Sequence, residues 1–106
     1  MNKKKQLNIA IVGLGNIGSY LYQYLLKNRE RLRKKTNVLL NVSHVCAKNI
    51  KKKRLFVISK NKWLRNPLEV STKNNIDIVV ELIGGSDGIA KRIVFSALKN
   101  KKHVVT

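Results

Sequence analysis

Acidic residues are the scarcest functional groups in this chain. Only 5 Asp and Glu stand against 23 Lys and Arg, a formal net charge of +18 over 106 residues. Cysteine and proline occur once each. A single cysteine excludes an internal disulfide framework and fits a reducing compartment, so a cytoplasmic setting is expected. No apolar run approaches the about 18 residues of a membrane-spanning helix, and no membrane segment is expected. The N-terminal Met-Asn-Lys-Lys-Lys-Gln is basic, but the apolar run behind it is interrupted by Asn8 and is too short for a signal-peptide core.

What is present is a folded domain's share of apolar side chains, 43% hydrophobic residues, in a length that allows one domain with a modest core. The cations gather at residues 3–5, 29–35, 48–54 and 99–102. Those are the places a folded domain leaves in water, so the surplus reads as solvated surface in preference to a nucleic-acid footprint. The six aromatics (one Trp, three Tyr, two Phe) form no exposed stacking ladder in the sequence pattern.

The chain is organised around residues 7–28. Leu7, Ile9, Ala10, Ile11 and Val12 form a short apolar run, as in a parallel strand covered on both faces. Gly13, Gly15 and Gly18 follow at G-x-G-x-x-G spacing. Ile17, Leu21, Tyr24 and Leu25 then recur at helical period. A strand, this glycine spacing and an amphipathic helix together form the context of a dinucleotide site. Gly13 allows the sharp turn, Gly15 clears the approach of a pyrophosphate, and Gly18 lets the helix pack closely. The helix N-terminus offers free N–H groups and the positive end of its dipole.

Along the rest of the chain, residues 1–6 read as a basic disordered tail and 7–106 as the domain. One helix is expected over Asn16 to Arg33, with Tyr20 and Tyr24 on one face and Tyr22 nearly opposite. A strand over Val38 to Ala47 departs from strict alternation. It contains His44 and Cys46, which find no recognisable base, nucleophile or metal-ligand partner and read as structural. Residues 48–54 make a basic turn, and 55–59 an extended piece. Asn66-Pro67 starts a short helix, and Ile76 to Ile83 form a second parallel-type strand closed by Gly84-Gly85. Ser86 reads as an N-cap with Asp87 in the first turn, ahead of a helix with Ile89, Ile93 and Ala97 on its apolar stripe. His103 to Thr106 begin a last strand. The fold class is α/β: a Rossmann-type parallel sheet with helices on both faces, truncated at that strand.

Three blocks carry a closer resemblance: Val-Gly-Leu-Gly-Asn-Ile-Gly at 12–18, Asp-Ile-Val-Val-Glu-Leu-Ile-Gly-Gly at 77–85, and Ala-Leu-Lys-Asn-Lys-Lys-His-Val-Val-Thr at 97–106. Together they resemble the N-terminal NAD(P)-binding half of homoserine dehydrogenase, over nearly the whole chain. The resemblance implies an NAD(P)-dependent oxidoreductase that interconverts aspartate semialdehyde and homoserine in aspartate-family amino-acid (threonine and methionine) biosynthesis, a homodimer when full-length. It places the catalytic and dimerising domain beyond Thr106. No catalytic residue is therefore expected here, and the chain alone is expected to be inactive.

The resemblance also assigns a cofactor site. Gly13, Leu14, Gly15, Asn16, Ile17 and Gly18 would follow the pyrophosphate. Lys48, Asn49 and Arg54 would meet the adenosine ribose or its phosphate. Gly84, Gly85 and Thr106 would lie toward the nicotinamide end. Many relatives have Arg-Asp where this chain has Lys48-Asn49. An acidic residue there binds the ribose 2′-hydroxyl and repels a 2′-phosphate; Asn49 removes that repulsion and Lys48 with residues 51–54 offers positive charge, so NADP is expected to be preferred, with NAD possible. Relatives usually have Pro where this chain has Gly88. Glu81 is open between bonding to neighbouring backbone N–H groups and a cofactor role. The alternatives are another dehydrogenase with a similar cofactor half, a stand-alone nucleotide-binding domain, or a basic nucleic-acid-binding module; no metal site is expected.

Overall fold

The computed structural model describes residues 5–54, 56–84 and 88–106. Strand β1 (Lys5–Val12) leads into helix α1 (Asn16–Lys27), helix α2 (Arg29–Thr36) and strand β2 (Val38–Cys46). Two 3-10 turns follow at Lys60–Lys62 and Pro67–Ser71. The chain ends with β3 (Ile78–Glu81), α3 (Ile89–Lys99) and β4 (His103–Val105). The sheet order is β2-β1-β3-β4 and every pairing is parallel.

Alternation along β1 divides the core between the two faces of the sheet. Ala10 and Val12 join Cys46, Val79, Val70, Ile93 and Ala97 under α3 and the second 3-10 turn. Ile9 and Ile11 join Val42, Val45, Val80, Tyr22 and Leu25 under α1. Helical structure therefore covers both faces, as the sequence predicts. The Lys5 and Gln6 backbone is already paired with β2, so the strand starts two residues earlier than the tail reading had it.

The expected helix over 16–33 is two helices. At Asn28 the backbone leaves helical geometry (φ −105°, ψ 16°). Its side-chain Nδ2 donates to the Tyr24 carbonyl at 2.9 Å, while its Oδ1 accepts from Arg31 Nε at 3.2 Å. Asparagine competes with the backbone in this way and ends one helix while helping to start the next. The buried face of α1 also differs from the expected stripe. It is Gly18, Tyr22 and Leu25, whereas Ile17 is 71% exposed and Tyr20 and Tyr24 stack on each other outside, 6.1 Å between ring centroids. The glycine sets that phase. A Cβ on Gly18 would run into the Gly13 carbonyl oxygen and come within 3.7 Å of Ile11 Cγ2.

The broken alternation in β2 is a β-bulge. Ile9 pairs with Val42 and Ala10 with His44, which leaves Ser43 as the extra residue. Val42 and Val45, three apart, thereby share the face under α1, and Cys46 turns to the other. Burial, and secondarily the Lys73 ammonium, holds His44 below the usual histidine range. Burial, with a smaller contribution from the Glu69 carboxylate, pushes the Cys46 thiol up to about 12. Both act as core side chains.

The amino end of the sheet is tied by Asn8. Its backbone N–H donates to Asp77 Oδ2 at 2.7 Å, its Nδ2 donates to the Asn75 carbonyl at 2.7 Å, and its Oδ1 accepts from Asn41 Nδ2 at 3.0 Å. The expected helix at Asn66-Pro67 is a 3-10 turn whose Leu68 N–H donates to Asn66 Oδ1 at 3.0 Å. No strand forms over the described residues of 55–59, and Ser86 and Asp87 lie outside the described residues.

Two measurements check this packing. Gly18→Ala should lower unfolding stability by roughly 1–3 kcal/mol, because overpacking must push α1 off the Gly13 carbonyl. Gly15→Ala, whose Cβ meets nothing within 4 Å, should stay within about 0.5 kcal/mol. Urea melts of both variants compare them directly. Alkylation of Cys46 by iodoacetamide at pH 8 should be slow in the native chain and fast in denaturant, since the thiolate is the nucleophile and a thiol near 12 stays protonated. Rapid native labelling would place Cys46 outside the core.

Candidate functional site

The connection from β1 runs to β2 on one side, while β3 lies on the other, so strand order reverses at β1. Open α/β sheets take ligands at the carboxyl ends of their strands at such a point. Here that place is a cleft of about 590 Å³. Val12 to Gly15 line one side and Cys46 to Asn49 another, with Lys52 and Arg54 beside them. Leu82, Ile83 and Ile89 close it from the β3 side, and Arg65 and Pro67 complete the lining.

The turn after β1 is locked from both directions. Gly13 N–H donates to the Cys46 carbonyl at 2.9 Å, and Leu82 N–H donates to the Val12 carbonyl at 2.8 Å. Gly13 sits at φ +108°, and a Cβ there would stand 2.8 Å from the Leu82 carbonyl carbon. Only glycine meets both demands. Gly15 then opens α1 over free space. Ser19 N–H makes the first α1 bond, to the Gly15 carbonyl at 2.9 Å, and Ser19 Oγ donates to the Leu14 carbonyl at 3.0 Å. The N–H groups of Asn16, Ile17 and Gly18 precede that bond and have no intrahelical acceptor. No acidic side chain occupies the first turn, so the positive end of the dipole is left for an anion.

Facing this turn is the basic loop 48–54. Asn49 Oδ1 accepts from Lys51 N–H at 3.1 Å, and the Asn49 carbonyl accepts from Lys52 N–H at 3.3 Å. Arg54 donates to the carbonyls of Asn49, Ile50 and Lys52 at 3.0, 3.2 and 3.1 Å. Its guanidinium lies 5.4 Å from the Trp63 ring centroid. A smaller depression of about 220 Å³ adjoins the cleft, lined by Asn16, Ser19, Lys53 and Phe56 among others.

Of the residues the sequence nominates, Gly13, Leu14, Gly15, Lys48, Asn49 and Arg54 meet in the cleft, and Asn16 lies in the adjoining depression. Ile17 points its side chain to solvent, and Gly18 is packed behind the turn as a spacer between α1 and Gly13. Gly84 and Thr106 are not among the cleft residues, and Gly85 lies outside the described residues. Thr106 Oγ1 instead donates to Glu81 Oε1 at 2.7 Å, while Glu81 Oε2 accepts from Ile83 N–H at 2.7 Å. Glu81 therefore fastens the ends of β3 and β4, in line with the backbone-bonding alternative. Sequence reasoning gave no site role to Val12, Cys46, Ala47, Arg65, Pro67, Leu82, Ile83 or Ile89, and nominated Lys52 only within the positive charge of residues 51–54.

Chemically, the cleft is an apolar trough with a cationic rim and a phosphate-ready helix end. It suits an elongated ligand with anionic and flat apolar parts, and Gly15 leaves the backbone approachable where a diphosphate would pass. Among the described residues that line it there is no carboxylate or imidazole. Among the described residues no group of three or more His, Cys, Asp or Glu is placed to hold a metal ion, and no helix is long and apolar enough to cross a membrane.

Known proteins with this arrangement agree with one another. The family model described as homoserine dehydrogenase, NAD binding domain, matches residues 13–106. The homoserine dehydrogenase of Neisseria gonorrhoeae is 34% identical over 102 residues, covering 96% of this chain and 23% of the relative. That of Methylobacillus glycogenes is 31% identical over 102 residues, 96% of this chain and 24% of the relative. A crystal structure of Staphylococcus aureus homoserine dehydrogenase superposes with a TM-score of 0.84 at 34% identity, over 94% of this chain and 25% of that one. The chain thus spans about a quarter of the length of the relatives it matches. The alternation of strands and helices, the glycine turn locked between β2 and β3, and this match over nearly its whole length have one conclusion: the chain belongs to the homoserine dehydrogenase family and corresponds to its NAD-binding domain.

Proposed function

We propose that this chain is the cofactor-holding part of a cytoplasmic, homodimeric homoserine dehydrogenase, and that it binds NADP in preference to NAD. The whole enzyme would interconvert aspartate semialdehyde and homoserine. A bound nicotinamide supplies the hydride chemistry of such a dehydrogenase. The contribution of this chain is to bind and orient: the turn 13–15 and the N-terminus of α1 take the diphosphate, and the apolar walls exclude water. The chain spans about a quarter of the length of its relatives, and the groups that move a proton to or from substrate are proposed to lie in the remainder, so the chain alone is proposed to be inactive.

The preference rests on one observation. The end of β2 presents Lys48 and Asn49 to the cleft with Lys52 beside them, and no described residue of that wall carries a carboxylate. A dianionic 2′-phosphate meets positive charge there without repulsion, whereas the ribose of NAD finds no carboxylate to accept its hydroxyl hydrogens. The Asn49 oxygen is already occupied by Lys51 N–H, which leaves its amide N–H₂ as the group it can offer.

In calorimetric titrations at moderate salt, NADPH should bind about tenfold more tightly than NADH, the scale of one charge-assisted hydrogen bond. The gap should narrow as salt screens the rim. Equal or tighter NADH binding removes the proposed preference. Homoserine oxidation by the isolated chain with NADP should be undetectable, and measurable turnover would overturn the assignment of chemistry to residues outside it.

A further inference from the structure

We propose that Arg54 is a positioning residue and not a ligand of the cofactor: its guanidinium folds the 49–52 backbone onto Trp63, and the loop so formed brings Lys48 and Lys52 to the cleft as the cations that recognise a 2′-phosphate. The proposal rests on the NADP reading above.

The argument is an accounting of donors. A guanidinium has five N–H groups in a rigid fork. In Arg54 three go to the carbonyls of Asn49, Ile50 and Lys52. Its Nε is buried and has no partner. One Nη2 hydrogen remains, on a group whose plane rests near the Trp63 ring. Trp63 is itself tied to β2, pairing with Val45 as an isolated parallel bridge, and Leu64 N–H donates to the Val45 carbonyl at 2.9 Å. A chain of contacts thus runs from the sheet through the indole and the guanidinium to the loop backbone. Lys48 and Lys52, by contrast, line the cleft with side chains that make no hydrogen bond or ion pair to the described residues. The arginine spends its donors on the loop, and the lysines keep theirs.

Lysine offers one compact ammonium in place of the planar fork, so Arg54→Lys keeps the charge and loses the three-carbonyl geometry. In that variant NADPH affinity should fall about tenfold while NADH affinity stays within twofold, and Lys52→Gln should do the same. Trp63→Leu, which removes no charge, should also erode the preference for NADPH. Arg54→Lys combined with Lys52→Gln should be no worse than either alone, because both act through one contact. Amide hydrogen exchange at Lys51 and Lys52, followed by NMR without nucleotide, should quicken in Arg54→Lys.

An Arg54→Lys chain that keeps the full NADPH preference, or a double variant whose losses multiply, would overturn the positioning role and mark Arg54 as a direct ligand. Equal losses of NADPH and NADH affinity would reduce it to a fold determinant. Unchanged exchange at Lys51 and Lys52 overturns the proposal even where the wild-type chain prefers NADPH. A wild-type chain that does not prefer NADPH, with a loop that loosens in Arg54→Lys, defeats the NADP reading and the specificity role together, while the folding of the loop by Arg54 stands.

Discussion

The seat of α1 on the Gly13 carbonyl is the contact on which the rest depends. It exists because Gly18 carries no side chain, and it fixes the distance from the first helix to the turn that precedes it. That distance decides the phase of α1, and so which of its residues meet β1 and β2. It also aims the free N–H groups of the helix along the mouth of the cleft. The turn itself is held by a bond to β2 and by one from the loop after β3, so one small structure joins three strands, a helix and the cleft.

Much of this could be read in the sequence. The run Ile9 to Val12, the glycine spacing, the strand expected over Ile76 to Ile83 and the stripe of α3 are strong local patterns, and each became the type of element expected, the strand shortened to Ile78–Glu81. The errors have physical sources. A hydrophobic period gives no weight to glycine, so it centred α1 on Ile17 and Tyr24. The true face, Gly18, Tyr22 and Leu25, has the same spacing with the glycine counted as a contact. The break at Asn28 depends on which of two hydrogen-bonding options its side chain takes, and packing of the chain beyond it decides that. The site was legible where backbone chemistry defines it and illegible where distant segments converge. Nothing near Arg65 in sequence shows that it reaches the cleft, and nothing near Arg54 shows that its donors are already engaged.

The scarcity of acidic residues has a structural counterpart. Asp77 and Glu81 accept from backbone N–H groups at opposite ends of β3. Glu30 bonds Arg33 at 2.8 Å in the one ion pair among the described residues. These three carboxylates sit where the fold uses an acceptor, and the charged side chains among the described lining of the cleft are all cations. Gly88, ahead of α3, lies at φ +82°, a conformation closed to proline.

The bulge at Ser43 gives β2 one residue of slack. Pairing on its two sides is regular: Ile9 meets Val42, and Ala10 meets His44. Loss of the single codon for Ser43 would join these into one uninterrupted ladder with every remaining side chain on its present face. The same loss within β1 or β3 would turn half a strand inside out. A change of length in this sheet therefore has one cheap address, and it lies upstream of the loop that lines the cleft.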